Sequence, residues 1–134
     1  ALGAAERRAV RAARLGPLLR QAGDSLGVAA RASLHVRLTT DAELRELNGR
    51  FTHVDAPTDV LAFPMDEAGH VGDIAISVPR AIDQAPMAAA DELRLLAVHG
   101  LLHCLGHDHA EREEARRMTM ATQQLLPGAL IPPL

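Results

Sequence analysis

The chain has a single cysteine among its 134 residues, no lysine, and no apolar run long enough to cross a bilayer. One cysteine excludes an internal disulfide and fits a reducing compartment, the cytoplasm. A membrane helix needs about 20 consecutive apolar residues; none is present, so no span is expected. The start at Ala1 shows no charged-then-apolar secretory pattern either. All fourteen basic residues are arginine, against seventeen Asp and Glu, for a net charge of -3. The missing lysine, with abundant alanine, reads as genome bias. The missing basic excess counts against a nucleic-acid partner when taken alone, because phosphate neutralisation draws on positive charge. Arg7, Arg11 and Arg14 are expected on one face of a first helix, as a solvated stripe or a local basic patch.

What is present reads as one domain, residues 1–134, long enough for a core of its own. Ala4 to about Leu19 reads as helix, disturbed at Gly16-Pro17. Ser33 to Leu38 alternates, with Leu34, Val36 and Leu38 on one face and His35 and Arg37 on the other, which predicts a half-buried strand. Thr40 or Asp41 caps a short helix carrying Leu44 and Leu47 and ending near Asn48-Gly49. Asp59–Phe63 and Val71–Ser77 predict an antiparallel hairpin around Asp66, Glu67 and Gly69, with Pro64 closing its first strand. Ser77 with Pro79 starts another helix. Asp91–Leu105 is apolar on almost every side and belongs in the middle of the domain. Glu111–Leu126 forms the last helix, facing inward through Ala115, Met118, Thr122 and Leu125. Pro127-Gly128 ends it and leaves a loose tail. The expected class is α+β, a small mixed sheet packed with helices around a central metal-binding helix.

The metal expectation comes from histidines on that buried helix. His99 and His103 are four apart, so they lie one above the other on one face and can hold one ion. Buried imidazoles are costly without partners, and an ion satisfies both at once. Gly106 can adopt the left-handed conformation that ends a helix and turns the chain back, bringing His107 or His109 to the same place. Three protein ligands leave a tetrahedral position open, as in catalytic zinc sites. The spacing matches the metzincin pattern H-E-x-x-H-x-x-G-x-x-H, which favours His109 as third ligand. Gly100, however, stands where the proteases carry their general-base glutamate. Asp108 is either a turn residue or a carboxylate that orients a ligand ring. Cys104 lies about 100° around the helix from His103 and reads as core. His35, His53 and His70 read as solvated.

The stretch His99-Gly-Leu-Leu-His-Cys-Leu-Gly-His-Asp-His109 resembles the signature of the YbeY family, metal-dependent bacterial endoribonucleases of ribosomal RNA maturation, which runs H-G-x-L-H-x-x-G-Y/H-D-H. Asn48-Gly-Arg50 leading through Pro57-Thr-Asp-Val-Leu-Ala-Phe-Pro64 agrees with it, as does Gly72-Asp-Ile74. The resemblance spans about residues 33–126. It implies Zn²⁺ or another divalent ion on His99, His103 and His109, with Arg50 as a catalytic guanidinium that stabilises charge at phosphorus. His107 falls where the family often has tyrosine, which puts it beside the ligands or the substrate. Asp73 also matches a family position, with no role beyond support of the hairpin. The implied substrate is single-stranded RNA in small-subunit rRNA processing, with the small ribosomal subunit or its proteins as partner. The nucleophile is left open between water and a ribose hydroxyl. Family members usually open with an apolar strand before the first helix. Here Ala1-Leu-Gly-Ala-Ala-Glu-Arg-Arg opens the chain, so that strand is expected either to be lost or to have its place in the sheet filled differently. Two other readings are a non-catalytic ribosome assembly factor with a structural zinc, and a metallohydrolase of peptides or amides.

Overall fold

A computed structural model describes residues 2–56, 58–67 and 69–134; Ala1 and Pro57 of the segments quoted above lie outside them. The first apolar segment is two helices, α1 (Ala4–Ala13) and α2 (Leu15–Ser25). The break falls at Arg14, whose φ of 49° is left-handed, and not at Gly16-Pro17 as the sequence implied. Pro17 sits in the first turn of α2, where its missing N–H would have had no helical partner anyway. Arg14 leaves the helical path, so the expected three-arginine face does not form.

Strand β1 (Ser33–Thr39) is followed by α3 (Asp41–Thr52), β2 (Val60–Glu67) and β3 (His70–Ser77). Thr40 caps α3 by accepting the amide of Glu43, and His53 ends it with a left-handed φ of 62°, later than Asn48-Gly49. The sheet order is β1-β3-β2. β2 and β3 form the expected antiparallel hairpin, while β1 pairs parallel with β3. A parallel neighbour needs a crossover, which α3 and β2 supply. Pro64 does not close β2; the strand continues to Glu67 with a shifted register after it. An edge strand tolerates proline because one side needs no ladder donor.

After β3 come α4 (Val78–Gln84), α5 (Ala89–Cys104) and α6 (Arg112–Leu125). Ser77 caps α4 by accepting the amide of Arg80. α5 packs on β2 and β3 with one side and on α1, α2, α4 and α6 with the rest. Leu93, Val98 and Leu102 from α5 meet Ile74, Ile76 and Met118 in one fully buried cluster. Each such side chain contributes about 1.5–3 kcal/mol. The tail is largely exposed but is attached at two points: Ile131 lies against the core, and the Leu134 amide donates to Thr119 Oγ1 at 3.2 Å.

Two glycines let α5 sit close on the sheet. A Cβ at Gly100 would meet Ile74 Cγ2 at 2.9 Å, and one at Gly72 would meet Cys104 Sγ at 2.6 Å and the Phe63 carbonyl oxygen at 2.7 Å. The Phe63 carbonyl belongs to the β2–β3 ladder, whereas Ile74 presents a side chain that can change rotamer. Gly72→Ala is therefore expected to lose about 1–3 kcal/mol in urea unfolding, and Gly100→Ala less. Equal or greater loss at Gly100 would refute that ordering.

Candidate metal centre

The end of α5 builds the site. Gly106 is left-handed at φ 99°. Its amide donates to the His103 carbonyl at 3.0 Å, and the His107 amide donates to Leu102 at 2.9 Å. This paired closure satisfies the last carbonyls of the helix and reverses the chain. Asp108 then accepts the amide of His109 at 2.7 Å, which holds the turn carrying His109. The structure thus gives Asp108 the turn role.

His99, His103 and His109 converge. Their rings lie 4.6, 5.3 and 5.5 Å apart between centroids, and one nitrogen from each falls within 4.8 Å of the others. The Nε2 atoms of His99 and His103 face each other at 3.1 Å. Ligands held at about 2.0–2.1 Å by a tetrahedral ion stand about 3.3 Å apart, so the donor set fits a metal ion with little movement. His103 Nδ1 lies 2.9 Å from the His107 carbonyl. A carbonyl only accepts, so Nδ1 carries the proton and Nε2 of the neutral ring offers its lone pair to the site. His107 contributes through its backbone.

Burial decides the protonation of the other ring. It pushes His99 down to about 4, helped by the charges of His103 and His109. His103 is lowered as well, mainly by burial. Both are therefore neutral donors near pH 7.

The histidines line a cleft together with Thr58 and Asp59 before β2 and with Val60, Leu61, Ala62 and Pro64 of that strand. Arg50 is not brought into that lining; its guanidinium lies over the Phe51 ring, 5.4 Å from the centroid. Cys104 is buried, and burial pushes its thiol up to about 11, as suits a core residue. Sequence reasoning missed a carboxylate pair beside His99. Gln84 Nε2 donates to Asp59 Oδ2 at 2.9 Å and to Glu92 Oε2 at 2.7 Å. Burial holds the Glu92 carboxyl above the usual range, and both acids line a hollow that His99 shares. Glu92 precedes His99 by two helical turns on the same face, a spacing that was readable in advance.

A family model described as Endoribonuclease YbeY matches residues 7–129. The chain is 45% identical over 113 residues to Endoribonuclease YbeY of Gloeobacter violaceus, covering 75% of this chain and 58% of that relative. It is 40% identical over 130 residues to the Moorella thermoacetica protein of the same name, covering 85% and 83%. The Salinispora tropica counterpart is 45% identical over 126 residues, with 80% of each covered. Among solved structures, the solution structure of TM1509 from Thermotoga maritima superposes with a TM-score of 0.55 at 26% identity, covering 83% of this chain and 78% of that one.

The depressed His99 sets a pH dependence in the ion-free protein. Between pH 6.5 and about 4 the unfolded chain binds a proton that folded His99 refuses, so stability falls as pH falls through that window. Glu92, raised in the folded state, acts in the opposite sense at the acid end. In chelator-treated samples, the urea midpoint of wild type is expected to fall with acid more than that of His99→Gln. Parallel curves would contradict this account.

Proposed function

The chain belongs to the YbeY endoribonuclease family, and on that premise we propose that it is a metal-dependent endoribonuclease of single-stranded RNA, built as one hydrolase domain. His99, His103 and His109 are the proposed ligands, and Zn²⁺ the proposed ion. The observation that carries the reading is the face-to-face pair of neutral Nε2 donors with His109 closing the third side. When bound there, such an ion supplies Lewis acidity toward a phosphoryl oxygen and lowers the pKa of water toward about 7.

The chain's own residues do the rest. The His107 carbonyl orients His103, and the tight turn at Gly106 brings His109 back to the helix end. The wall formed by the edge strand β2 gives an extended single strand a surface to lie along. A duplex would bury the base edges and phosphates differently. Asp59 and Glu92 stand beside His99 as proton-accepting carboxylates. Arg50 is assigned stabilisation of charge at phosphorus by the resemblance alone, since it lies over Phe51 and outside the cleft lining. Small-subunit rRNA as substrate and the small ribosomal subunit as partner rest on the same resemblance. The peptidase reading is disfavoured: a glutamate at position 100 would drive its Cβ into Ile74.

The test is cleavage of a labelled single-stranded RNA by wild type and His99→Ala, with zinc content and folding measured on both. The variant is expected to stay folded, lose its ion and lose at least about 100-fold in rate, equivalent to about 2.7 kcal/mol of barrier. Equal cleavage would overturn the reading. A folded, metal-loaded wild type without activity would favour an assembly factor with a structural zinc. Arg50→Ala is expected to lower cleavage by about tenfold at full metal occupancy, a typical cost for one charged hydrogen bond to phosphate; an unchanged rate would remove Arg50 from the site.

A further inference from the structure

A second group of donors meets on the opposite face of the sheet from α5. Gly72 and Ile74 point toward α5, so strand alternation turns Asp73 away from it. His35 stands opposite Asp73 in the β1–β3 ladder. The ladder slips at this end: Ser33 pairs with His70, but Leu34 pairs with Gly72. Val71 is thus an extra residue, a bulge of the kind that re-aims a neighbouring side chain. In an unbroken strand His70 would share the face of Gly72. Instead its Nε2 lies 3.0 Å from Asp73 Oδ1. His35 Nδ1 lies 3.3 Å from the same oxygen, and the two rings are tilted, 4.6 Å apart.

We propose that His35, His70 and Asp73 form a second divalent-metal site, separate from the triple-histidine cleft. One donor atom from each falls within 4.8 Å of the others, and the two measured separations, 3.0 and 3.3 Å, lie at or just below the spacing of about 3.3 Å expected around a tetrahedral ion. Two imidazoles with one carboxylate select a borderline ion of the zinc, nickel and copper class over magnesium or calcium. The proton accounting at His70 agrees. Ser33 Oγ donates to the Gly69 carbonyl at 3.2 Å and lies 2.8 Å from His70 Nδ1. With the hydroxyl proton directed at Gly69, Nδ1–H donates to Oγ, and Nε2 turns a lone pair toward the carboxylate. In that tautomer the ring and the carboxylate can share a cation; in the other, Nε2–H donates to Asp73 Oδ1 and a bound cation takes the place of that proton. Ser33 then acts as the outer partner that orients a ligating ring. His70 is 16% exposed, but Asp73 is 45% and His35 75%. Water can therefore fill the remaining positions, and the ion exchanges readily.

The experiment counts Zn²⁺ bound per full chain by competition with a chromophoric chelator, for wild type and for His35→Ala. His35 is exposed, so its removal leaves the fold intact. Loss of one ion per chain in His35→Ala is the expected result, and His70→Ala should reproduce it. The comparison is repeated in a His99→Ala background, where the second site should still hold an ion that His35→Ala removes. An unchanged count in His35→Ala overturns the proposal, whether or not the cleft is loaded. RNA cleavage plays no part in the readout, so this result stands apart from the nuclease reading.

Discussion

The close seat of α5 on β3 is the constraint on which the rest depends. Helix and sheet approach through Gly100 against Ile74 and Gly72 against Cys104, with no room for a methyl group at either glycine. That contact sets the rotation of α5 about its axis. With Gly100 against the sheet, His99 and His103 come out beside the edge strand β2, at the border between core and solvent. Half-buried imidazoles there lose enough hydration to stay neutral, yet remain open to a ligand. A looser seat would let the histidines hydrate and take up protons. A rotation of one residue would bury them outright, where unpaired ring nitrogens cost several kcal/mol.

The same contact explains a departure from the metzincin pattern that the sequence showed without giving its cause. The position after the first histidine faces Ile74 at close range, so packing favours glycine there before any question of chemistry arises. Carboxylates reach His99 by another route, from the start of β2 and from the preceding turns of α5, as Asp59 and Glu92 tied by Gln84. Carboxylates near the site are thus placed across elements and not within the motif.

Local signals carried much of the fold. Thr40 and Ser77 as caps, the alternation of Ser33–Leu38, the apolar α5 and the Gly106 turn all depend on residues within a few positions of one another, and each stands in the structure as read. What was not legible depends on distant partners. Arg14 breaks the first helical segment although a left-handed arginine has no local preference to announce it. Pro64 continues a strand because that strand lies at the edge, which only the sheet order reveals. The tail is tied down where Thr119, in another element, accepts its last amide. In the site, the convergence of His99 and His103 was implied by their spacing. Glu92 could have been read from its helical spacing to His99, but Asp59 became visible only once two segments about thirty residues apart met at Gln84. His35 is exposed as read, but His70, also read as solvated, is largely covered, because nothing in the sequence marks a bulge at Val71.

An acidic protein that handles RNA has to draw its attraction from somewhere other than net charge. Arg37, Arg45, Arg80 and Arg116 are each tied to a carboxylate, Glu43, Asp55, Asp41 and Glu113. Such exposed pairs add little stability, but they cancel the distant field of those arginines. Asp59 and Asp108 border the cleft as well. Long-range steering is therefore weak, and binding should release few counterions. The histidines answer this locally. Three neutral ligands give a bound divalent ion no compensating negative charge, so its full positive charge faces the cleft and can meet a phosphate directly. A carboxylate among the ligands would halve the site's net charge. On the proposed ligand set, an all-imidazole site, with His99 and His103 held neutral by burial on α5, would substitute for the basic surface that the sequence lacks.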